Sequence, residues 1–184
     1  MADAMLQGYL NHIELLDRED SPILINNSSI EHAIPLVARL IARGQREISL
    51  LTGSLNPLIY ADRKIVDALG VFLIGRSGFL RILVEKGSDI VSHEQLIDEE
   101  SGLISVLRAE YGESALSKVE IRRGGGGVSA SGVHYLVIDE KGFRFEPDNT
   151  KHEAIASFNR PETASRLRGS FDGFFDDSEI ISIH

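Results

Sequence analysis

Apolar residues recur at helical spacing in several stretches of the chain, and each stretch predicts an amphipathic helix. The predicted helices cover residues 4–17, 28–43, 65–73, 102–111 and 161–175. Ser28 and Glu31 fit a capping box for the second helix, and Gly44 is expected to end it. Runs at 48–51, 80–84, 119–121, 133–139 and 142–146 predict strands, with a Lys141-Gly142 turn between the last two, and a further short apolar run at 23–25 follows Pro22.

This alternation of helices and strands predicts an α/β fold. The 133–146 hairpin makes the sheet mixed, so we expect a sandwich in which a mixed, mostly buried sheet is flanked by helices. A chain of 184 residues is long enough for one well-packed domain. We divide it into an N-terminal helix and lead-in at 1–27, a single domain at 28–178 and a C-terminal tail at 179–184.

The net charge of the chain bears on which partners it binds. The chain carries 28 acids against 19 Lys and Arg, a formal net charge of −9, which does not support nucleic acid as a partner. Arg122-Arg123, beside the glycine run 124–127, is the one compact basic patch outside the predicted helices. The glycine run itself is interpreted as a flexible loop, since no P-loop continuation follows it.

The remaining composition excludes several classes of protein. There is no cysteine, so disulfides, a thiolate nucleophile and Cys-based zinc sites are excluded. No apolar run is long enough to span a bilayer, and the acidic N-terminus does not resemble a secretory signal. We therefore expect a cytoplasmic protein with no membrane partner. His93-Glu94 and His152-Glu153 are isolated pairs without a metal-ligand spacing, so no metal and no cofactor are expected.

The candidate chemistry lies in the predicted hairpin. One strand reads Gly132-Val-His-Tyr-Leu-Val-Ile-Asp139, and Arg144-Phe-Glu-Pro-Asp-Asn149 follows after the turn. Arg144 and Glu146 share one face of their strand. Two interpretations follow: Arg144 holds a carboxylate or phosphate, or it pairs with Glu146.

The spacing of these residues resembles the phospholipase D-like superfamily, whose motif is His-x-Lys-x4-Asp followed by Gly-Ser-x-Asn. Asp139 and Asn149 match, whereas Gly132 stands where the nucleophilic His belongs and His134 where the Lys belongs. The resemblance covers about residues 28–178 and includes the segment 152–162 and the closing aromatic helix. It extends to small bacterial proteins of this fold whose motif is degenerate and whose role is unassigned.

The resemblance implies a phospholipase D-like fold with a catalytically incomplete site. We therefore predict no catalytic residue and a vestigial cleft. Its candidate residues are His134, Asp139, Arg144, Glu146, Asn149 and Glu153. A Glu at position 146, where the family has a small Gly, is expected to fill the cleft and neutralise Arg144.

Three functions remain open on the sequence. The first is a non-catalytic binding module, a pseudoenzyme that acts through a protein partner or a ligand. The second is a phosphodiesterase or nuclease using His134 from each chain of a dimer, and the third is a nucleotide or phosphate-ligand sensor. Since enzymes of the superfamily bring two motif copies together and this chain holds one, a homodimer is expected. The phenylalanines of the C-terminal third are taken as its interface.

Overall fold

The computed structural model describes residues 2–53, 55–85, 102–125, 128, 132–148 and 153–183. Six helices and eight strands lie within these ranges. The helices are α1 (Ala2–Arg18), α2 (Ile30–Arg43), α3 (Pro57–Tyr60), α4 (Arg63–Gly70, continued by a π-helical turn Val71–Gly75), α5 (Leu103–Leu116) and α6 (Pro161–Asp176). The strands are β1 (Ile25–Asn27), β2 (Glu47–Thr52), β3 (Phe79–Val84), β4 (Val119–Arg123), β5 (His134–Ile138), β6 (Gly142–Asp148), β7 (Glu153–Ser157) and β8 (Glu179–Ile181).

All eight strands form one sheet in the order β1-β7-β6-β5-β2-β3-β4-β8. The neighbouring strands β2, β3 and β4 run parallel to one another, and every other neighbouring pair is antiparallel. The mixed α/β sandwich predicted from the sequence is therefore confirmed. Its parallel part matters for the site, because the carboxyl ends of β2 and β3 meet at one edge.

The two faces of the sheet bury different sets of side chains. Alternation along β5 sends Leu136 and Ile138 into the larger cluster, which includes buried residues of α1, α2, α4 and α5. Tyr135 and Val137 point to the other face and pack with Phe171 and Phe175 of α6. His134 begins the same alternation, so it lies on the face of the larger cluster.

Local corrections fall at the element ends. The N-cap of α2 is Ser29, whose hydroxyl accepts from the amide of His32, rather than Ser28 of the expected capping box. The hairpin turn is centred on Asp139 and Glu140, both with positive φ, and the Lys141 amide donates to Ile138 O at 2.9 Å. The expected Lys141-Gly142 turn was wrong, because Gly142 already begins β6.

The C-terminal segment contains a strand that the sequence did not predict. Residues 179–181 of the expected tail form β8, which pairs antiparallel with β4 and makes one edge of the sheet. No helix in the described parts of the chain is long and apolar enough to cross a membrane.

Candidate functional site

A row of polar side chains crosses the sheet where β2 and β3 end. It consists of Asn27 of β1, Arg144 and Glu146 of β6, His134 of β5, and Glu85, which directly follows β3. His134 lies opposite Glu146 in the strand register, and Leu136 lies opposite Arg144, so these side chains share one face. We call these five residues the polar row.

His134 lies between two carboxylates. Its Nε2 is 3.5 Å from Glu85 Oε1, and the two side chains are only 20% and 13% exposed. Neither of these two atoms makes a well-formed hydrogen bond. Burial lowers the pKa of His134 below its ordinary 6.5, against the opposing effect of the Glu85 and Glu146 carboxylates and with a smaller lowering by Arg144. Since pH 7 lies above this pKa, the imidazole is mainly neutral at pH 7.

Gly53, at the end of β2, makes room for this histidine. A Cβ at position 53 would lie 3.0 Å from His134 Nε2 and 3.4 Å from Glu85 Oε2. That spacing is tighter than ordinary van der Waals contact, so any side chain at position 53 would push against the imidazole. The backbone of Gly53 thus lies against the imidazole of His134 on the side of β2.

Arg144 and Glu146 form a buried ion pair. Arg144 Nη1 lies 3.2 Å from Glu146 Oε2, and Arg144 Nε donates to Asn27 Oδ1 at 2.8 Å. The two residues are 8% and 7% exposed, so both charges are removed from water and depend on each other. The sequence left two interpretations of this strand face open, that Arg144 holds an anion or that it pairs with Glu146. The observed geometry is the pairing.

A β-bulge lies beside this pair. The register between β6 and β7 shifts between Phe145 and Asp148, a segment that contains Glu146 and Pro147. A proline has no N–H to donate to a neighbouring strand, and bulges re-aim nearby side chains. The Glu-Pro step therefore interrupts the β6 ladder next to the polar row.

A cavity of about 250 Å³ adjoins the Arg144–Glu146 pair. Its other walls come from the N-terminal ends of α2 and α3, through Ser28, Ser29, Ile30, Ala33, Asn56 and Ile59. Tyr60 of α3 also approaches the pair: burial raises its pKa, and a hydrogen bond with Thr52 and the Arg144 charge act in the opposite direction. The cleft expected to be filled by Glu146 thus retains space beside it.

Asp139 does not belong to the polar row. It follows β5 at the end opposite to His134, five residues away, or about 16 Å at the usual strand rise. Its carboxylate accepts from the backbone amides of Gln45, Arg46 and Glu47 at 2.6, 2.9 and 2.8 Å. The motif aspartate therefore joins the β5–β6 turn to the start of β2, which is a structural role.

The other predicted residues lie apart from the row or outside the described ranges. Gly132, at the position of the family's nucleophile, has φ 62° and precedes β5. Glu153 begins β7, is exposed and lies opposite Asp148. Asn149, His152 and His93-Glu94 lie outside the described residues.

Sequence reasoning missed Glu85, Asn27 and Tyr60. Glu85 carried one usable signal, since it is the first polar residue after a buried run that predicts a parallel strand. Asn27 and Tyr60 come from a short edge strand and a one-turn helix, whose positions depend on long-range packing. Among the described residues, no group of three His or acidic side chains is arranged to hold a metal ion.

Comparison with solved structures places this architecture among phospholipase D-like folds. Nuc from Salmonella typhimurium, a phospholipase D family member, is 12% identical, with 86% of this chain and 97% of that chain covered and a TM-score of 0.59. Phosphatidylserine synthase from Haemophilus influenzae Rd KW20 is 13% identical, with 89% and 40% covered and a TM-score of 0.54. TrmBL2, an archaeal chromatin protein whose structure shows a novel mode of DNA binding, is 15% identical, with 97% and 63% covered and a TM-score of 0.55.

The phospholipase D-like fold expected from the motif spacing is thereby supported. At the level of sequence, the chain belongs to the family described as a domain of unknown function (DUF7931), whose model matches residues 29–182. No curated protein matches it.

Proposed function

We propose that the protein is a non-catalytic binding module of phospholipase D-like fold that acts as a homodimer. The observation that carries this proposal is Gly132. It stands at the position of the family's nucleophile, has no side chain and has φ 62°, a conformation that side-chain-bearing residues rarely adopt. His134, at the position of the family's lysine, is a neutral imidazole at pH 7 and supplies no fixed positive charge for a phosphoryl oxygen.

The charges of the polar row support the same proposal. Phosphoryl transfer needs positive groups free to stabilise charge on the transferred oxygens. Arg144 is instead committed to Glu146 and Asn27. A phosphate entering the cavity would meet the Glu146 carboxylate together with the arginine, so we expect weak phosphate binding or none.

A homodimer is proposed because the chain holds one copy of the motif, and the aromatic residues add no support to it. The C-terminal phenylalanines were taken as an interface, yet Phe143, Phe158, Phe171 and Phe175 are each at most 1% exposed within one chain. These four therefore contribute to the core of the monomer. Two copies of the polar row would meet only across two chains, and the inherited fold supplies that arrangement in its catalytic relatives.

Hydrolysis and mass measurements test the two parts of the proposal separately. We expect no turnover of bis(p-nitrophenyl) phosphate and no nicking of plasmid DNA, with or without EDTA. Multi-angle light scattering at tens of micromolar should give twice the chain mass of 20.2 kDa. Metal-independent hydrolysis that disappears in His134→Ala would overturn the non-catalytic assignment, and a monomer mass would overturn the dimer.

A dimeric phosphodiesterase using His134 is the second candidate, and the proximity of Glu85 is the observation that favours it. A carboxylate beside an imidazole can orient it and stabilise its protonated form during proton transfer. Against this candidate, the Nε2 atom faces Glu85 and the Gly53 backbone rather than open space. The hydrolysis assay with His134→Ala decides between the two.

A phosphate-ligand sensor is the third hypothesis, and the cavity beside Arg144 is the feature it would use. Inorganic phosphate at millimolar concentration should leave the amide shifts of Arg144 and Glu146 unchanged if the ion pair excludes anions. Saturable shifts confined to these residues, without hydrolysis, would favour the sensor over the binding module.

A further inference from the structure

A second cavity lies at the opposite end of β5 from His134. Its volume is about 350 Å³, within the range of small-molecule sites. The apolar wall is formed by Leu40 of α2, Ile138 of β5 and Phe158 after β7. These three side chains are at most 3% exposed, so the apolar wall belongs to the packed core. We call this the Lys141 cavity.

Two cations stand at the rim of the Lys141 cavity. Arg43 and Lys141 both line it, and their side chains are 25% and 46% exposed. The Arg43 guanidinium also lies over the Phe158 ring, 5.7 Å from its centroid. Positive groups beside an apolar wall are the complement of an organic anion.

The chain's own Asp20 already shows that these donors can converge on one carboxylate. Asp20 Oδ2 lies 2.7 Å from Lys141 Nζ and accepts from Asn159 Nδ2 at 3.0 Å, and Asp20 Oδ1 pairs with Arg43 Nη2. Asp20 is held here by a tight turn after α1, with φ 51°. It is not among the residues that line the cavity.

The one carboxylate that does line the cavity is compensated. Asp139 accepts three backbone amides from residues 45–47, which offset its negative charge. The rim therefore offers two cations whose partners, Asp17 and Asp20, come from the N-terminal segment preceding the matched family domain.

We propose that the Lys141 cavity binds a small organic anion, a carboxylate or phosphate group carried on an apolar body. The anionic group contacts Lys141 and Arg43 in competition with Asp20, and the body lies on Leu40, Ile138 and Phe158. This site is distinct from the polar row and does not depend on the proposed function, because the two lie at opposite ends of β5.

Because the ligand competes with Asp20, the proposal predicts the direction in which a substitution of Asp20 changes the affinity. Asp20→Asn removes the competing charge, and asparagine tolerates the left-handed backbone at this position. Lys141→Gln removes a cation from a turn without opening the core. Lys64→Gln, at an exposed position of α4, is the matched control because Lys64 does not line the cavity.

The measurement is a two-dimensional NMR titration of the full chain with benzoate and with phenyl phosphate, following the amides of Arg43, Lys141 and Gly142. We expect saturable shifts with a Kd on the order of 1 mM for at least one of the two probes. Lys141→Gln should weaken binding about fivefold, and Asp20→Asn should strengthen it about threefold, since a partly exposed charge pair is screened by solvent. Lys64→Gln should match the wild type.

Two controls separate the anion from its apolar body. Benzamide, the neutral counterpart of benzoate, and inorganic phosphate, which lacks the body, should both bind at least about fivefold more weakly. The proposal is overturned by an absence of saturation up to about 20 mM of either probe, by equal binding of benzamide, or by an Asp20→Asn variant that binds no better than the wild type. Whether benzoate or phenyl phosphate binds more tightly identifies the anionic group.

Discussion

Asp139 provides the sharpest test of how the motif residues are used. If its carboxylate is structural, its replacement should lower the free energy of unfolding by an amount that follows from its three hydrogen bonds. The three substitutions Asp139→Asn, Asp139→Gly and Asp139→Ala remove different parts of this arrangement. Asn keeps one acceptor oxygen and tolerates positive φ, Gly keeps only the freedom of φ, and Ala keeps neither.

The magnitudes follow from geometry and exposure. Gln45 and Arg46 are exposed, so water replaces the carboxylate for their amides and each bond contributes only about 0.5 kcal/mol. The amide of Glu47 is half-buried and donates at 2.8 Å, which adds about 1 kcal/mol. Asp139 Oδ1 accepts from Arg46 and Glu47 and Oδ2 from Gln45, so Asn retains the larger part.

We therefore expect a loss of about 0.5 kcal/mol for Asn, which gives up only the bond from Gln45, and of about 2 kcal/mol for Gly. Ala should lose about 3 kcal/mol, because φ 49° adds about 1 kcal/mol of backbone strain for Ala, which lacks the short polar side chain that lets Asp and Asn adopt this conformation. Urea unfolding followed by circular dichroism measures all three relative to the wild type. Three equal losses, or a Gly variant less stable than the Ala variant, would refute the assignment of both the hydrogen bonds and the strain.

Three further predictions test packing, the turn and the histidine. Gly70→Ala should lose about 2 kcal/mol in urea unfolding, because the added Cβ would lie 2.1 Å from the Tyr111 ring. Gly169→Ala, at an exposed position of α6 with nothing within 4 Å of the added Cβ, should instead gain about 0.5–1 kcal/mol. Equal effects would contradict the packing. Glu140→Gly should gain about 1 kcal/mol, since φ 56° in this turn strains a Glu, which lacks the short polar side chain that lets Asn and Asp adopt this conformation. A loss in the same assay would contradict it. His134 should titrate by NMR with a pKa below 6.5. Between about pH 6.5 and that folded pKa, the unfolded chain binds a proton that the folded chain does not. The free energy of unfolding should therefore fall as the pH drops through this interval. His134→Gln should remove that component, and a pKa at or above 6.5 would contradict the environment described.

The helices and parallel strands were predictable because their signals are local. Periodic apolar residues determine which face of α2 is buried, and the mostly apolar runs at 48–51 and 80–84 became β2 and β3. The hairpin turn was not predictable from its own residues. Lys141-Gly142 has the expected turn glycine, yet the turn lies at Asp139-Glu140. The Asp139 contacts that accompany this turn reach amides more than 90 residues away in sequence.

The candidate site was predictable only along one hairpin. His134, Arg144 and Glu146 were found from the sequence because strand alternation places them on one face. Glu85 joins them through the sheet order, in which β2 lies between β5 and β3. A single sequence contains no local signal for that neighbourhood, so the second carboxylate beside His134 could emerge only from the fold.

The separation of Asp139 from His134 divides the support of the sheet from the polar row. Asp139 connects β2 to the β5–β6 turn through backbone amides, and these bonds lie at the opposite end of β5 from positions 132 and 134. The polar row at that other end contains His134 and the buried Arg144–Glu146 ion pair. Substitutions at 132 and 134 are therefore expected to leave the contacts at Asp139 and the register of the sheet in place. Under the function proposed above, the fold could thus persist without phosphoryl transfer.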